Sequence, residues 1–157
     1  MNNALLKKVH QLCQGIDQIA MALLDRELLT INIFYPQEME LERLFSSNPE
    51  AYPPGGRKQK KGTPWGQHVL IEQKIFIGEG TEAIRQSFDD HETIERLGLQ
   101  SIINVPISNH ARCLGTLNIL MTLPRVKPEH IETAQYLGAL LQPGLITISR
   151  KQPQRRL

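Results

Sequence analysis

Cysteine is scarce in this sequence: Cys13 and Cys113 are the only two. They fit no metal-ligand spacing, and free thiols in a reducing cytoplasm are their expected state. Long apolar runs are missing as well. Nothing approaches the ~20 consecutive apolar residues of a membrane span, and Lys7, Lys8 and His10 interrupt any secretory signal at the N-terminus. Charge of one sign is also missing. The formal net charge is +2, too small to argue for nucleic acid, and the basic residues are scattered apart from one loop and the tail "SRKQPQRRL". His10, His68, His110 and His130 have no metal spacing among them. There is no internal repeat and no heptad array long enough for a free coiled coil. None of these features names a ligand, and the cofactor is unknown at this point.

What is present is an ordinary globular composition, 40% hydrophobic and 22% charged, over 157 residues. That length suits one domain, expected over 1–157. Within it lies "NPEAYPPGGRKQKKGTPWG", residues 48–66, with four prolines, four glycines and no apolar period. A loop this long inside a compact domain is either a linker or a lid or binding loop. A cut here would leave an N-terminal piece too short for a good core, so the loop belongs within one fold.

Leu5, Val9, Leu12, Ile16, Ile19 and Leu23 recur at steps of four and three, which predicts a helix from about 3 to 26. "LLTINIFY" alternates and reads as a strand. "MELERLFSS" is its hairpin partner, with Pro36 and Gln37 at the turn. Thr63 as N-cap and Pro64 at the first helical position start a short helix, "PWGQHVLIEQ". "KIFIG" reads as a brief strand and "TEAIRQSF" as a helical turn or two. Asp90 is expected to cap "HETIERL", which Gly98 closes in the left-handed region. "SIINVPI" and "RCLGTLNILM" form a hairpin about "SNHA". A last helix covers about 128–150, where Pro143 should kink or break it, and 151–157 is a polar tail. The fold class is α+β with a mostly antiparallel sheet.

Alternation sorts the strands into two faces. Ile31, Ile33, Ile103, Val105, Ile107, Leu117, Ile119 and Met121 make one face, wholly apolar and so expected under helices, the two terminal ones. Thr30, Asn32, Phe34, Ile102, Asn104, Thr116, Asn118 and Leu120 make the other, where polar and apolar residues mix. One face of an antiparallel sheet is often simply wet. Yet the short helices of 64–98 must pack somewhere, and if they cover this face its amides need partners from protein, water or a ligand.

The stretch "ERLGLQSIINVPISNHARCLGTLNIL" resembles the core of a GAF domain in the order and spacing of its parts. These are a helix ending in Gly98, a strand ending in "VPI", a hairpin, and a strand of the "GTLNI" type. The loop from "SSNPEAYP" to "GTPWG" resembles that of a bacterial subgroup of stand-alone GAF proteins. The resemblance implies a central antiparallel sheet with the terminal helices on one side and a small-molecule pocket, roofed by short helices and loops, on the other. Residues 48–66 then become a lid or pocket rim. The candidate pocket residues are Asn32, Phe34, Ile102, Asn104, Thr116 and Asn118 on the sheet and Trp65, Phe76, Phe88 and His91 in the roof. The implied function is a cytoplasmic sensory or regulatory module that binds a small molecule without catalysis. The alternative is an interaction or dimerisation module with a vestigial pocket. A third reading is an enzyme like free methionine-(R)-sulfoxide reductase, which needs an attacking and a resolving thiol near the pocket. The segment before "SIINVPI" where they are expected has no cysteine, and "LNIL" stands where acidic groups would meet the substrate amine. Covalent bilin attachment also needs a cysteine in the pocket helices.

Several residues keep two readings. Asp89, Asp90 and His91 form an acid–base constellation or simply a helix cap and a surface or pocket-wall imidazole. "RKQKK" is a solvated loop tip or a contact for an anionic ligand or phosphate. Trp65 stacks on a ligand or anchors the roof. Cys113, sharing alternation with Leu117, is expected in the apolar core. Leu6, Ala20, Leu137 and Leu140 add a second apolar stripe to the terminal helices, and with no effector domain attached, a homodimer through those helices is expected.

Overall fold

The computed structural model describes residues 3–151, so the polar tail beyond 151 lies outside the described residues. The first helix, α1, spans Asn3–Leu23, the full length of its apolar seam, and stops short of the expected boundary at about 26. Arg26 ends it, because that residue is taken into strand β1 (Arg26–Tyr35) opposite Met121. Its guanidinium reaches back to the Asp17 carboxylate of α1 at 3.0 Å.

The chain turns over residues 36–39 into β2 (Glu40–Ser46). The long loop then holds a third strand, β3 (Arg57–Gln59), antiparallel to β2 with Leu41 opposite Lys58. This corrects the reading of 48–66 as irregular throughout. A three-residue edge strand buries no apolar face. Backbone pairing holds it instead, with Arg57 reaching Glu42 at 3.0 Å and Glu40 at 3.4 Å. Such a strand has no hydrophobic period to find.

Thr63 caps the next helix as expected, its Oγ1 accepting from the Gly66 amide at 3.0 Å. Helix α2 (Pro64–Gly66) runs straight into a π-helical turn over Gln67–Ile71. Strand β4 (Phe76–Glu79), helices α3 (Thr81–Ser87) and α4 (His91–Arg96), hairpin strands β5 (Ser101–Asn109) and β6 (Arg112–Met121), and helix α5 (Pro128–Lys151) follow. Gly98 ends α4 with φ +75°, a conformation that costs glycine nothing.

The six strands form one curled antiparallel sheet in the order β3-β2-β1-β6-β5-β4. Its apolar face packs on α1 and α5, and all eight residues assigned to that face by alternation are buried there. Of the kink or break expected at Pro143, the break does not occur, since α5 runs through it. Proline removes one backbone donor, and its own exposed position lets Leu137, Leu141, Leu145 and Ile148 stay buried on either side of it. Ala20 and Leu137 are buried within the chain too, so neither belongs to a second apolar stripe.

Three register shifts adjust the alternation. One, between Ile107 and Ser108, leaves Leu114 as the extra residue in β6. Cys113 is thereby turned to the opposite side from Leu117 and packs with Phe34, Leu41, Trp65, Val69 and Leu70 under the roof. It is buried as expected but on the other face, since an inserted residue inverts a period-two pattern.

Candidate functional site: a roofed cavity with a cationic rim

The mixed face is covered by α2, the π turn, α3 and α4, and strand register makes its polar residues neighbours. Asn118 of β6 stands opposite Thr30 of β1 on one side and Asn104 of β5 on the other. A hydrogen-bond chain results. The Trp65 indole Nε1 donates to Asn104 Oδ1 at 3.0 Å, and Asn104 Nδ2 donates to Asn118 Oδ1 at 2.7 Å. Asn118 Nδ2 donates to Thr30 Oγ1 at 3.1 Å. Beside it, Asn32 Nδ2 donates to Thr116 Oγ1 at 3.2 Å. Of the partners expected for these amides, protein, water or a ligand, the chain itself supplies one for each, through cross-strand register.

A cavity of about 80 Å³ lies between this floor and the roof. Asn32, Ile102, Asn104 and Asn118 meet it from the sheet, and Trp65 and Phe88 meet it from above. Four other candidates do not line it. Phe34 packs beside Trp65 in the cluster that holds Cys113. Thr116 is occupied as the acceptor for Asn32. Phe76 faces an outer groove between α2 and α3 and meets Phe88 edge-on, ring centroids 6.0 Å apart. His91, on α4, is half-buried, and its Nδ1 has no hydrogen-bond partner.

The rim is made by groups that period alone did not flag: Arg43 of β2, Tyr52, Lys58 and Lys60 of the long loop, and Asp90 before α4. Asp90 occupies the N-cap position, but its side chain makes no capping bond. It accepts from the Tyr52 hydroxyl at 2.6 Å and pairs with Lys58 at 3.3 Å. Burial would raise its pKa, yet the Tyr52 hydrogen bond and the Lys58 charge hold it below the usual carboxylate value. Burial, and then Asp90, raise the Tyr52 phenol, which stays neutral.

Arg43 donates from Nη1 to the Pro53 carbonyl at 2.9 Å and lies over the Tyr52 ring at 5.0 Å. Lys60 lies over Trp65 with Nζ 4.9 Å from the ring centroid. Burial, and next the charge of Lys58, lower its pKa. Two signals for these residues were in the sequence. Lys58 and Lys60 stand two apart, as side chains sharing one side of an extended segment must. Arg43 stands two residues from Leu41 on the strand that leads into the loop.

The loop is thus a rim rather than an interdomain linker. It is anchored by the Gly55 amide on the Arg43 carbonyl at 2.7 Å and the Lys60 amide on the Met39 carbonyl at 2.8 Å. Among the described residues no three His, Cys, Asp or Glu side chains gather as a metal site requires.

No family model matches the sequence, and no curated protein matches it significantly. Solved structures do match in shape. The GAF domain of a two-component sensor histidine kinase from Bacillus halodurans is 12% identical with a TM-score of 0.74, over 89% of this chain and 95% of that one. The GAF domain from an Acinetobacter phosphoenolpyruvate-protein phosphotransferase is 18% identical with a TM-score of 0.65, over 96% and 98%. The type II free methionine-R-sulfoxide reductase of Thermoplasma acidophilum is 11% identical with a TM-score of 0.67, over 94% and 96%. The protein has the GAF fold. Sequence identities this low carry the fold and no activity.

Proposed function

We propose that this GAF-fold protein is a sensory or regulatory domain that binds a small molecule in the roofed cavity and acts without catalysis. The observation that carries this is the cavity itself, with an asparagine floor, an aromatic roof and a charged rim converging on one partly open space. Neither thiol lines it. Burial pushes Cys13 up to about 12 and Cys113 up to about 11, so neither supplies the thiolate that sulfoxide reduction needs. Two unpaired buried thiols also support a reducing, cytoplasmic setting. No helix among the described residues is long and apolar enough to cross a membrane.

The test is native mass spectrometry of the purified protein, followed by extraction and analysis of what it carries. A stoichiometric small molecule released on unfolding supports the reading, and a protein that neither carries nor takes up any small molecule removes it.

A second reading concerns the terminal helices. Leu6, Met21 and Leu23 of α1 and Tyr136 and Leu140 of α5 are exposed large hydrophobics. They favour association of two copies through these helices, by which occupancy of the cavity is passed on.

A further inference from the structure

We propose that the cavity selects a compact organic or inorganic anion, its carboxylate or phosphate group held by Lys60 with Lys58 and Arg43. This rests on the reading of the cavity as a ligand site and adds the class of ligand.

Three cationic side chains and one carboxylate, Asp90, line the cavity, a formal balance of 3 − 1 = +2. The carboxylate is already committed to the Tyr52 hydroxyl and Lys58. Arg43 spends one guanidinium nitrogen on the Pro53 carbonyl and turns its face to Tyr52. Lys60 has no carboxylate within ion-pair distance among the described residues, and the Trp65 ring is the group its ammonium lies over. A half-buried ammonium that feels Asp90 and Asp89 only from beyond ion-pair distance gains from an incoming anion.

Burial, and next the charge of Lys58, lower the Lys60 pKa against the opposing charges of Asp90 and Asp89, the setting in which an added anion favours the charged ammonium. The remaining walls divide the space by chemistry. Leu28, Ile102 and Leu120 offer apolar contact, and the asparagine amides of the floor face the cavity beside them. At about 80 Å³ the space is well below the roughly 300–1,000 Å³ of sites for drug-sized ligands, so the occupant is compact.

Trp65 is the single tryptophan of the chain, so emission from the full-length protein reports on the roof it forms between this cavity and the outer groove beside Phe76, and Lys60 variants assign a change to the cavity side. The experiment titrates the protein with propionate, propionamide and inorganic phosphate at constant ionic strength, following Trp65 emission, with native mass spectrometry as a second readout. Propionate or phosphate is expected to give a saturable change, with propionamide weaker by roughly tenfold or more, the span of a charged hydrogen bond. Lys60→Gln is expected to abolish the preference for the anion and Lys60→Arg to keep it, with circular dichroism checking that both variants are folded.

Equal binding of propionate and propionamide would overturn the anion proposal and leave the ligand-site reading standing. An anion preference that persists in folded Lys60→Gln would overturn it as well. Silence from all three probes, in a protein that carries nothing when purified, would remove both.

Discussion

The Trp65 indole donates to Asn104 at 3.0 Å across a sequence separation of 39 residues, tying the roof to the floor of the cavity. Both residues are buried, and Asn104 passes the chain on to Asn118 at 2.7 Å. Asn104→Ala leaves the indole N–H and the Asn118 carbonyl oxygen without their partner. A loss of about 1–3 kcal/mol per unsatisfied group is expected, read from the urea midpoint together with a shift in Trp65 emission. An unchanged midpoint would show that the chain adds nothing to stability.

Asp90 gives a pH dependence of known sign. Its folded-state pKa lies below the ordinary value of 3.8, held there by Tyr52 and Lys58 against the effect of burial. Its contribution to stability is therefore complete above that ordinary value and is lost as pH falls through the folded value. Thermal unfolding of Asp90→Asn should show a shallower loss of stability on the acid side than the parent protein. Identical acid limbs would mean that the Tyr52–Asp90–Lys58 group is not coupled to folding.

The thiols should be silent. With Cys13 raised to about 12 and Cys113 to about 11 by burial, neither reacts appreciably with a thiol reagent at neutral pH until the protein is unfolded. No turnover of free methionine sulfoxide is expected, and replacing both cysteines should leave the fold and ligand uptake intact. Thiol-dependent turnover lost in the double variant would establish the enzyme reading.

Gly115 of β6 stands opposite Ile33 of β1. A Cβ there would collide with the Asn32 carbonyl and press on Leu145 at 3.0 Å. Gly115→Ala should destabilise the fold by about 1–3 kcal/mol, the usual cost of overpacking, and should disturb Asn32 beside the cavity. Chemical denaturation measures the first effect and probe titration the second.

A dimer through the terminal helices should respond to Tyr136→Glu and Leu140→Glu, at exposed positions one helical turn apart on α5. Sedimentation is expected to shift from dimer to monomer, with the unfolding midpoint of the monomer little changed. A parent protein that sediments as a monomer at micromolar concentration ends this reading.

The residue pattern by itself determined the two faces of the sheet, the seams of the terminal helices and the Thr63–Pro64 helix start. These follow from repeats of two and of 3.6 residues and from capping chemistry, all written in neighbouring residues. It also brought Asn32, Asn104 and Asn118 to one face. Tertiary structure decided that Asn104 and Asn118 pair with each other, because register between β5 and β6 is set by non-local packing. It decided that Cys113 turns to the roof, through a bulge no local period announces. It decided that Asp90 serves Tyr52 and Lys58 instead of its helix. And it decided that Lys58 and Lys60 reach the cavity, because β3 is held by backbone bonds at the sheet edge, and those bonds leave no mark in hydrophobic patterning.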